Sequence, residues 1–436
     1  MSRIQETLSV HTEDTQHRAI RSVNKATVST SLESIRRLAV TKQHLAGRLP
    51  SRATREHILS VVRDLCYVQW DPIDAVAPSH IIALWSRIGN FRPSDLDSLL
   101  FEEKKLFLHQ APAMIVPTED YPLFYSLMRR YPESISKSWG GWKVRAKKYL
   151  AKHELRKRIL NELKNGPLRL NQFRDHVRTG RSPDGWTSAS DVSHMLFHLQ
   201  MTGDVMIVGH QGNQNIWGLS EKFLPSWVER KDLTEEEFER EAAQRALRAL
   251  GIATPREIHV YFPRARYLNL KRTLESLQEE SAIHRVHVTG LDGKDERYVH
   301  DKDIWLLESM NSDAWQPRMS LLAPFDNLIC FRSRTNKIFG FDYLHENFLP
   351  ENKRKFGTFV HPILYGDKLI GRADLHMDRK NEKLMINSVH AERGAPGDKE
   401  VSSEIRQMIQ QLAEFLGAKE VVYTARVPAA WKNSLR

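Results

Sequence analysis

Three consecutive residues, Gln69-Trp70-Asp71, have the types and spacing needed for hydrolytic chemistry. Because Pro72 restricts Asp71 to an extended backbone, Gln69 and Asp71 are predicted to share one face of a strand, with Trp70 on the other. A carboxamide both donates and accepts hydrogen bonds, and a carboxylate can accept a proton or stabilise a developing cation. The pair could therefore hold and activate one water. Since any Gln-x-Asp in a strand meets this pattern, ordinary surface polarity is the alternative interpretation.

Other kinds of chemistry have weaker support in the sequence. His194 and His198 have helical i, i+4 spacing, but they lack the acidic residue of a zinc protease motif, so no metal site is predicted. Glycine-rich nucleotide-binding motifs and a G-x-S-x-G nucleophile motif do not occur, which argues against any cofactor. Asp374, Asp378 and Lys380 leave a metal-dependent nuclease as an alternative, although turns between strands commonly collect such residues.

The composition favours a globular protein with an anionic partner. The chain has 436 residues and a net charge of +11, with 41% hydrophobic and 27% charged residues. These values exclude a collagen, a coiled-coil rod and a wholly disordered chain. Two cysteines are too few for a disulfide framework. The sequence contains no apolar run typical of a membrane span or signal peptide, so we expect a cytoplasmic, nucleoid-associated protein that acts as a monomer.

Most of the positive charge lies in one segment. Residues 129–158 contain eleven Lys and Arg but only two acids, and Tyr131, Trp139, Trp142 and Tyr149 lie among the cations. Such a mixture suits the neutralisation of phosphates with aromatic contact to sugar or base. The alternative is a solvated helix face whose aromatic residues belong to the core.

A second, weaker basic cluster lies near residue 334, mixed with acids. Together the two clusters predict contacts to double-stranded DNA. The candidate DNA-binding residues are Arg129, Arg130, Lys143, Arg145, Lys147, Lys148, Arg332, Arg334 and Lys337.

The elements expected to position these residues form a helix-rich α+β fold. Hydrophobic periodicity predicts helices at 31–46 and 54–65, followed by an extended stretch at 67–72. Two later segments predict three helices and then a two-stranded hairpin, with the hairpins at 205–219 and 283–300. This order is typical of a winged helix. The first copy is the irregular one, because no clear hairpin follows Asp71.

The last hundred residues predict a different architecture, with three successive antiparallel strands at 360–365, 369–375 and 384–389, a helix at 404–416 and a final strand at 421–424. The predicted divisions of the chain are a disordered tail (1–30), a first winged-helix-like module with the basic connector (31–150), a second winged helix (151–230), a third (231–318) and a C-terminal α+β domain (319–436).

Several separated stretches resemble one known family, the winged-helix DNA glycosylases of the YcaQ/AlkZ type. The matches occur in order between about residues 31 and 392. They are residues 35–39 (IRRLA), 67–73 (YVQWDPI), 84–87 (LWSR), 325–329 (FDNLI), 339–343 (FGFDY), 362–374 (PILYGDKLIGRAD) and 377–380 (MDRK).

This resemblance implies tandem winged helices in a C-shape around a DNA-sized channel, and an enzyme that excises bulky alkylated purines and unhooks interstrand cross-links. The family has Gln-Φ-Gln and Gln-Φ-Asp branches, and this chain resembles the Asp branch. Gln69 would then orient a hydrolytic water, and Asp71 would activate it or stabilise the oxocarbenium ion. Trp70, His80 and His109 are the expected neighbours of the site.

The chain departs from the family pattern at Trp70, at Pro72 and at residues 77–80 (APSH), which concerns substrate range more than reaction class. A single carboxylate suffices for this chemistry, because an N7-alkylated purine already carries positive charge and leaves as a neutral base without a general acid. Two other functions stay open at this point: a non-catalytic winged-helix DNA-binding protein such as a transcriptional regulator, and a protein-interaction scaffold.

Overall fold

The computed structural model describes residues 27–110, 113–135, 140–174, 190–264, 266–291, 295–423 and 427–435. Within them the chain is a mixture of helices and strands in four sheets of three, three, four and five strands. The first described elements are strand β1 (Val28–Ser31) and helix α1 (Leu32–Lys42). The Ser31 side chain caps this helix by accepting a hydrogen bond from the backbone N–H of Ser34.

The first unit, residues 55–129, carries the Gln-Trp-Asp sequence. Its elements are α2 (Arg55–Leu65), β2 (Val68–Gln69), α3 (Ser79–Ile88), α4 (Pro93–Asp97), β3 (Leu106–Gln110), β4 (Ala113–Pro117) and α5 (Tyr121–Arg129). The short β2 pairs antiparallel with β4, which also pairs with β3, so the sheet order is β2-β4-β3. All of α3 is buried, which makes it the central helix of this unit.

A hairpin therefore does follow Asp71, contrary to the irregular first copy expected from the sequence. It begins more than thirty residues later, after α3 and α4. Residues 106–108 and 114–117 of the hairpin are buried on both faces. Strands of this kind read as continuous apolar runs and lack the alternation that marks a half-exposed hairpin.

The second unit, residues 153–223, follows helix α6 (Gly140–Leu150). Its elements are α7 (His153–Lys164), β5 (Leu168–Arg169), α8 (Asp191–Met201), β6 (Val205–Gln211), β7 (Gln214–Leu219) and α9 (Ser220–Phe223). The short helix predicted near residues 170–176 is a 3-10 turn at Leu170–Gln172, and the end of that prediction lies outside the described residues. Here too the first strand pairs antiparallel with the last, in the order β5-β7-β6.

The third unit, residues 235–300, repeats the arrangement. Its elements are α10 (Glu235–Leu250), β8 (Ile252–Ala253), α11 (Pro255–Tyr261), α12 (Leu270–Glu279), β9 (Ile283–Thr289) and β10 (Arg297–His300). The predicted start of α11 is confirmed, since Thr254 caps it with a capping box and Pro255 is its first residue. Strand β1 adds to this sheet in parallel with β9, so ordered structure begins before the predicted boundary at residue 30.

The C-terminal unit, residues 319–423, follows the short helix α13 (Ile304–Ser309). Its elements are β11 (Met319–Leu321), α14 (Arg332–Phe339), β12 (Val360–Tyr365), β13 (Lys368–Asp378), β14 (Lys383–Ala391), α15 (Lys399–Leu416) and β15 (Glu420–Tyr423), and a last short helix, α16 (Lys432–Leu435), follows. Strands β12 to β14 are antiparallel as expected. Strand β11, which was not predicted, pairs antiparallel with β12, and β15 is parallel to β14. The reason is that α15 carries the chain back along the sheet before β15 begins.

The units share their apolar cores. One continuous cluster of buried side chains joins the first, second and C-terminal units, and another joins the first and third. A buried ion pair adds to this, because Arg87 of α3 donates to both oxygens of Asp326, at 2.6 and 2.9 Å. The first unit, which carries the loop after β2, thus packs against the other three units.

Candidate active site

Gln69 is the last residue of β2, opposite Met114 of β4. Its side-chain oxygen accepts a hydrogen bond of 2.8 Å from Nη2 of Arg264, which lies in the loop between α11 and α12 of the third unit. The same guanidinium lies 5.2 Å above the ring of Tyr67 and donates to its hydroxyl at 3.3 Å. Because the amide oxygen is engaged in this way, the Gln69 amide is oriented with its N–H groups available as donors.

Arg264 was not predicted from the sequence. A single arginine in a loop nearly two hundred residues away carries no local signal, and only the packing of the third unit against the first brings it to Gln69. Phe262, two residues before Arg264, stacks on Tyr67 with ring centroids 6.4 Å apart. This contact fixes the loop that delivers the guanidinium.

Asp71 follows β2 and is half-buried. Its Oδ1 accepts from the backbone N–H of Ile73 at 3.1 Å, a local bond that shapes the turn at Pro72. Burial raises the pKa of Asp71 above that of a free aspartate, against the opposing effect of the Ile73 bond. A partly desolvated carboxylate of this kind is a stronger base and a stronger electrostatic partner for a cation than one in water.

Trp70 and His80 pack against each other next to the backbone of Asp71. The two rings stack with centroids 4.2 Å apart and an interplanar angle of 16°. The buried His80 also makes a hydrogen bond with the backbone of Asp71, while desolvation lowers its pKa to about 3. His80 is therefore neutral at ordinary pH and acts as a rigid aromatic support.

His109, the other expected neighbour, lies farther away. It is buried in β3 against Phe124, at 4.8 Å between ring centroids. It pairs with Met114, the residue that Gln69 pairs with from the other side. Two strand spacings, roughly 10 Å, thus separate the backbones of His109 and Gln69.

The loop after Asp71 is held by the C-terminal unit. The carbonyl of Ala75 accepts from the backbone N–H of Met377 at 2.8 Å, and Nη2 of Arg379 donates to Asp74 at 2.5 Å and to the carbonyl of Val76 at 3.0 Å. Asp71 consequently faces a small cavity between the two units. The residues lining it are Asp71, Ile73, Ala75, Val76, Ala77, Ser79, Pro324, His345, Phe359 and His361.

Asp374 and Asp378 are the residues for which a metal-dependent nuclease was the alternative interpretation. Both make hydrogen bonds within the fold. Asp374 accepts from the backbone N–H of Phe359 at 2.9 Å, and Asp378 accepts from the backbone N–H and the side chain of Asn381 at 3.1 and 2.7 Å. Among the described residues, no group of three or more His, Cys, Asp or Glu side chains could hold a metal ion.

The basic segment is divided between exposed and paired side chains. Arg129, Lys147 and Lys148 are exposed, whereas Arg130 donates to the carbonyl of Leu233. Glu133 pairs with Lys143 and, at 2.8 Å, with Lys147, and the Lys143 contact is the largest cause that lowers the pKa of Glu133 to about 2.

The aromatic residues of that segment pack mainly on α8. The Tyr131 hydroxyl lies 2.7 Å from Nδ1 of His198, and the ring of Tyr149 stacks on the same imidazole at 5.3 Å. Trp142 remains 41% exposed, with Arg145 at 5.3 Å above its ring. Tyr131 and Tyr149 thus follow the core interpretation, while Lys137 and Trp139 lie outside the described residues.

The second basic cluster requires a correction at Arg334. This side chain is buried and donates to Glu257 at 2.8 Å and to the carbonyls of Ile252 and Leu250 at 2.7 and 2.9 Å. It joins α14 to the third unit and cannot contact DNA, because its donors point into the protein.

Arg332 and Lys337, on the same helix, are exposed and pair at the surface with Asp342 and Asp295, at 3.4 and 2.6 Å. The helical period explains the difference from Arg334: two of the three cations face outward and one faces inward.

The fold and the sequence each match known proteins. The structure is similar to that of the Streptomyces sahachiroi DNA glycosylase AlkZ, with a TM-score of 0.61 over 91% of this chain and 100% of that chain, at 14% sequence identity. That similarity shows a shared fold. The family model described as DNA glycosylase AlkZ-like matches residues 62–415, which is most of the chain and includes Gln69 and Asp71.

The chain therefore belongs to the AlkZ-like DNA glycosylase family. Its reaction class is the hydrolysis of N-glycosidic bonds in DNA, as in DNA repair, and its partner is DNA. In the part of the chain that the structure describes, no helix is long and apolar enough to cross a membrane.

Proposed function

We propose that this glycosylase removes bulky N7-alkylated purines from double-stranded DNA, including those of interstrand cross-links, with Asp71 as the catalytic carboxylate. The observation that carries the proposal is the half-buried Asp71 carboxylate with its raised pKa, two residues from a Gln69 amide that Arg264 holds in place. We further propose that the protein acts as a monomer. Its substrate would place it with the chromosomal DNA in the cytoplasm.

The reaction needs little more than these two side chains. The bond between sugar C1′ and purine N9 breaks, its electron pair passes into the cationic purine, and the base leaves neutral. Asp71 stabilises the positive charge that develops on the sugar and accepts the proton of the attacking water. Gln69 donates an N–H to the oxygen of that water and positions it.

The first and third units have the order helix, strand, helix, helix, strand, strand, and the second unit has the 3-10 turn Leu170–Gln172 in place of its second helix. This order supports tandem winged helices as the scaffold. In this proposal they form the C-shaped channel of the family, and the domain limits follow the predicted divisions at 31–150, 151–230, 231–318 and 319–436. An open channel would suit cross-linked bases, because a closed pocket for a flipped base would exclude them.

Phosphates would be held by the cations that remain exposed or only weakly paired. On the basic segment the exposed cations are Arg129, Lys147 and Lys148, and the half-buried ones are Arg130, Lys143 and Arg145. On α14 they are Arg332 and Lys337. Exposed ion pairs cost little to exchange for phosphate contacts. The pairs with Glu133, Asp342 and Asp295 therefore do not argue against this role.

The test is a duplex containing a single N7-alkylguanine, incubated with the protein and then treated with alkali. Wild type should produce strand breaks at the lesion, and Asp71→Asn should lower the single-turnover rate by about a hundredfold or more. Asp313→Asn, an equivalent change at an exposed position, is the matched control and should act as wild type. Wild-type protein that binds the duplex but leaves every alkylated base in place would instead indicate a non-catalytic DNA-binding protein.

A further inference from the structure

The cavity beside Asp71 has the size of one water molecule. It offers about 10 Å³ of room for the centre of a water, close to the minimum that a single buried water requires. Its polar lining consists of Asp71 and Ser79 from the first unit and His345 and His361 from the C-terminal unit. Gln69 is not one of the lining residues, so a water in the cavity must find further partners in the C-terminal unit.

His345 is held firmly against this cavity. The neighbouring Glu346 is buried, and its Oε2 accepts from three backbone N–H groups, those of Lys355, Phe356 and Gly357, at 2.8, 2.8 and 3.2 Å. Gly357 has φ +141, and a Cβ there would lie 2.3 Å from the Asp374 side chain, so this loop accepts only glycine. Three aromatic rings enclose the imidazole, those of Phe325, Phe348 and Phe359, at 4.8, 5.5 and 6.2 Å.

The ring nitrogens of His345 are buried without a partner. Within the described residues neither Nδ1 nor Nε2 makes a hydrogen bond to protein, whereas Nδ1 of the adjacent His361 contacts the carbonyl of Leu322 at 3.0 Å. A buried polar atom without a hydrogen-bond partner destabilises a fold. Packing among three phenylalanines would favour another phenylalanine, so the fold alone does not explain a histidine at this position.

We propose that His345 is a further catalytic residue, which binds the nucleophilic water together with Asp71. This inference rests on the proposed glycosylase function. The water donates one hydrogen to Asp71 and the other to a ring nitrogen of His345, and in this proposal the Gln69 N–H approaches it from outside the cavity lining. Its remaining lone pair forms the new bond to sugar C1′ as the bond to N9 breaks, and its proton passes to Asp71.

The surroundings keep the imidazole in the form this role requires. Burial lowers the pKa of His345, and the pKa of His361 falls to about 4 for the same reason, so both rings are neutral at ordinary pH. A neutral ring keeps one unprotonated nitrogen as an acceptor for the water. Asp71 is the one carboxylate in the cavity lining, so the transferred proton has a single acceptor there.

His345→Phe separates this role from a structural one. The substitution retains the ring in its aromatic surroundings but removes both nitrogens, so the melting temperature should stay the same or rise. Single-turnover excision should fall by about a hundredfold, with DNA affinity unchanged. His259→Phe is the matched control, because His259 is also half-buried beside an aromatic ring, Tyr267, and lies outside the cavity lining. It should keep the wild-type rate.

Three outcomes distinguish a failure of the proposed role of His345 from a failure of the proposed glycosylase function. Wild-type excision with an equally active His345→Phe would overturn the role of His345 and leave the glycosylase proposal intact. Absence of excision by wild type would overturn both. A high-resolution crystal structure gives an independent result: a water within hydrogen-bond distance of Asp71 and His345 is expected, and a cavity without such a water would contradict the proposal.

Discussion

Nη2 of Arg264 donates to the side-chain oxygen of Gln69 at 2.8 Å, and this contact joins the third unit of the chain to the strand that leads into the Gln-Trp-Asp sequence. A carboxamide at the end of a strand would otherwise rotate freely between two orientations. The arginine selects the orientation that presents N–H groups, and this selection has consequences that can be measured.

Arg264→Lys should lower the excision rate by about 10- to 100-fold, because a lysine cannot contact Tyr67 and Gln69 with one planar group. That range corresponds to the loss of a charged hydrogen bond of about 1.5–3 kcal/mol. The measurement is single-turnover excision of N7-alkylguanine by Arg264→Lys, Gln69→Leu and the double variant. If Arg264 acts through Gln69, the double variant should be no slower than Gln69→Leu, and additive losses would show that the two residues act separately. Arg256→Lys, on the exposed side of α11, serves as the control.

Asp71→Asn should stabilise the protein although it lowers the excision rate. The pKa of Asp71 is higher in the folded than in the unfolded protein, so the folded state binds more protons and loses stability as the pH rises through that window. An uncharged asparagine removes this loss at pH 7 and can still accept from Ile73. Urea unfolding at pH 7 should give a gain below about 1 kcal/mol, since the side chain is only half-buried. A less stable variant would mean that Asp71 has a favourable partner in the fold.

His80→Phe should flatten the acid limb of the stability profile. The folded-state pKa of His80 is about 3, below its value in the unfolded chain, so the unfolded state binds a proton first as the pH falls below about 6.5. Wild type should therefore lose roughly 1 kcal/mol more than His80→Phe between pH 6.5 and 5.5. Denaturant unfolding at both pH values measures the difference. Parallel profiles would show that the stacked imidazole takes up its proton over the same pH range in the folded and the unfolded protein.

Arg334→Ala should lower the stability of the protein, whereas Lys148→Ala should change only its binding to DNA. Removal of Arg334 leaves Glu257 buried without its cation, and the expected loss is about 3–5 kcal/mol of stability. Lys148 is exposed on α6, so its removal should leave the melting temperature unchanged and reduce the salt dependence of DNA binding by about one counterion. Thermal unfolding and binding over a range of salt concentrations test both. A destabilised Lys148→Ala with an unchanged salt slope would remove α6 from the DNA-binding surface.

The sequence alone was sufficient for the elements whose signals are local. The second and third hairpins, the capped start of α11 at Thr254 and the C-terminal strands all follow from periodicity and capping residues. Gln69 and Asp71 also emerge from the sequence, through extended geometry and family resemblance. The site around them could not be predicted in the same way.

Residues that reach the site from distant segments have no local pattern. Arg264 and His345 lie in loops and are separated from Asp71 by about two hundred and nearly three hundred positions. Arg334 was wrongly predicted to bind DNA, because it lies in a basic cluster of the sequence. In the structure this side chain lies on the buried face of its helix. Tertiary packing decides all three cases.

The loop after Asp71 is fastened by Met377 and Arg379, and its cavity is closed by His345, Phe359 and His361. During synthesis the ribosome delivers the Gln-Trp-Asp sequence early, and hundreds of residues must follow before these partners emerge. A nascent chain therefore carries Asp71 long before the surroundings of that carboxylate exist. The loop after Asp71 can therefore take its final form only late, when the C-terminal unit packs against it.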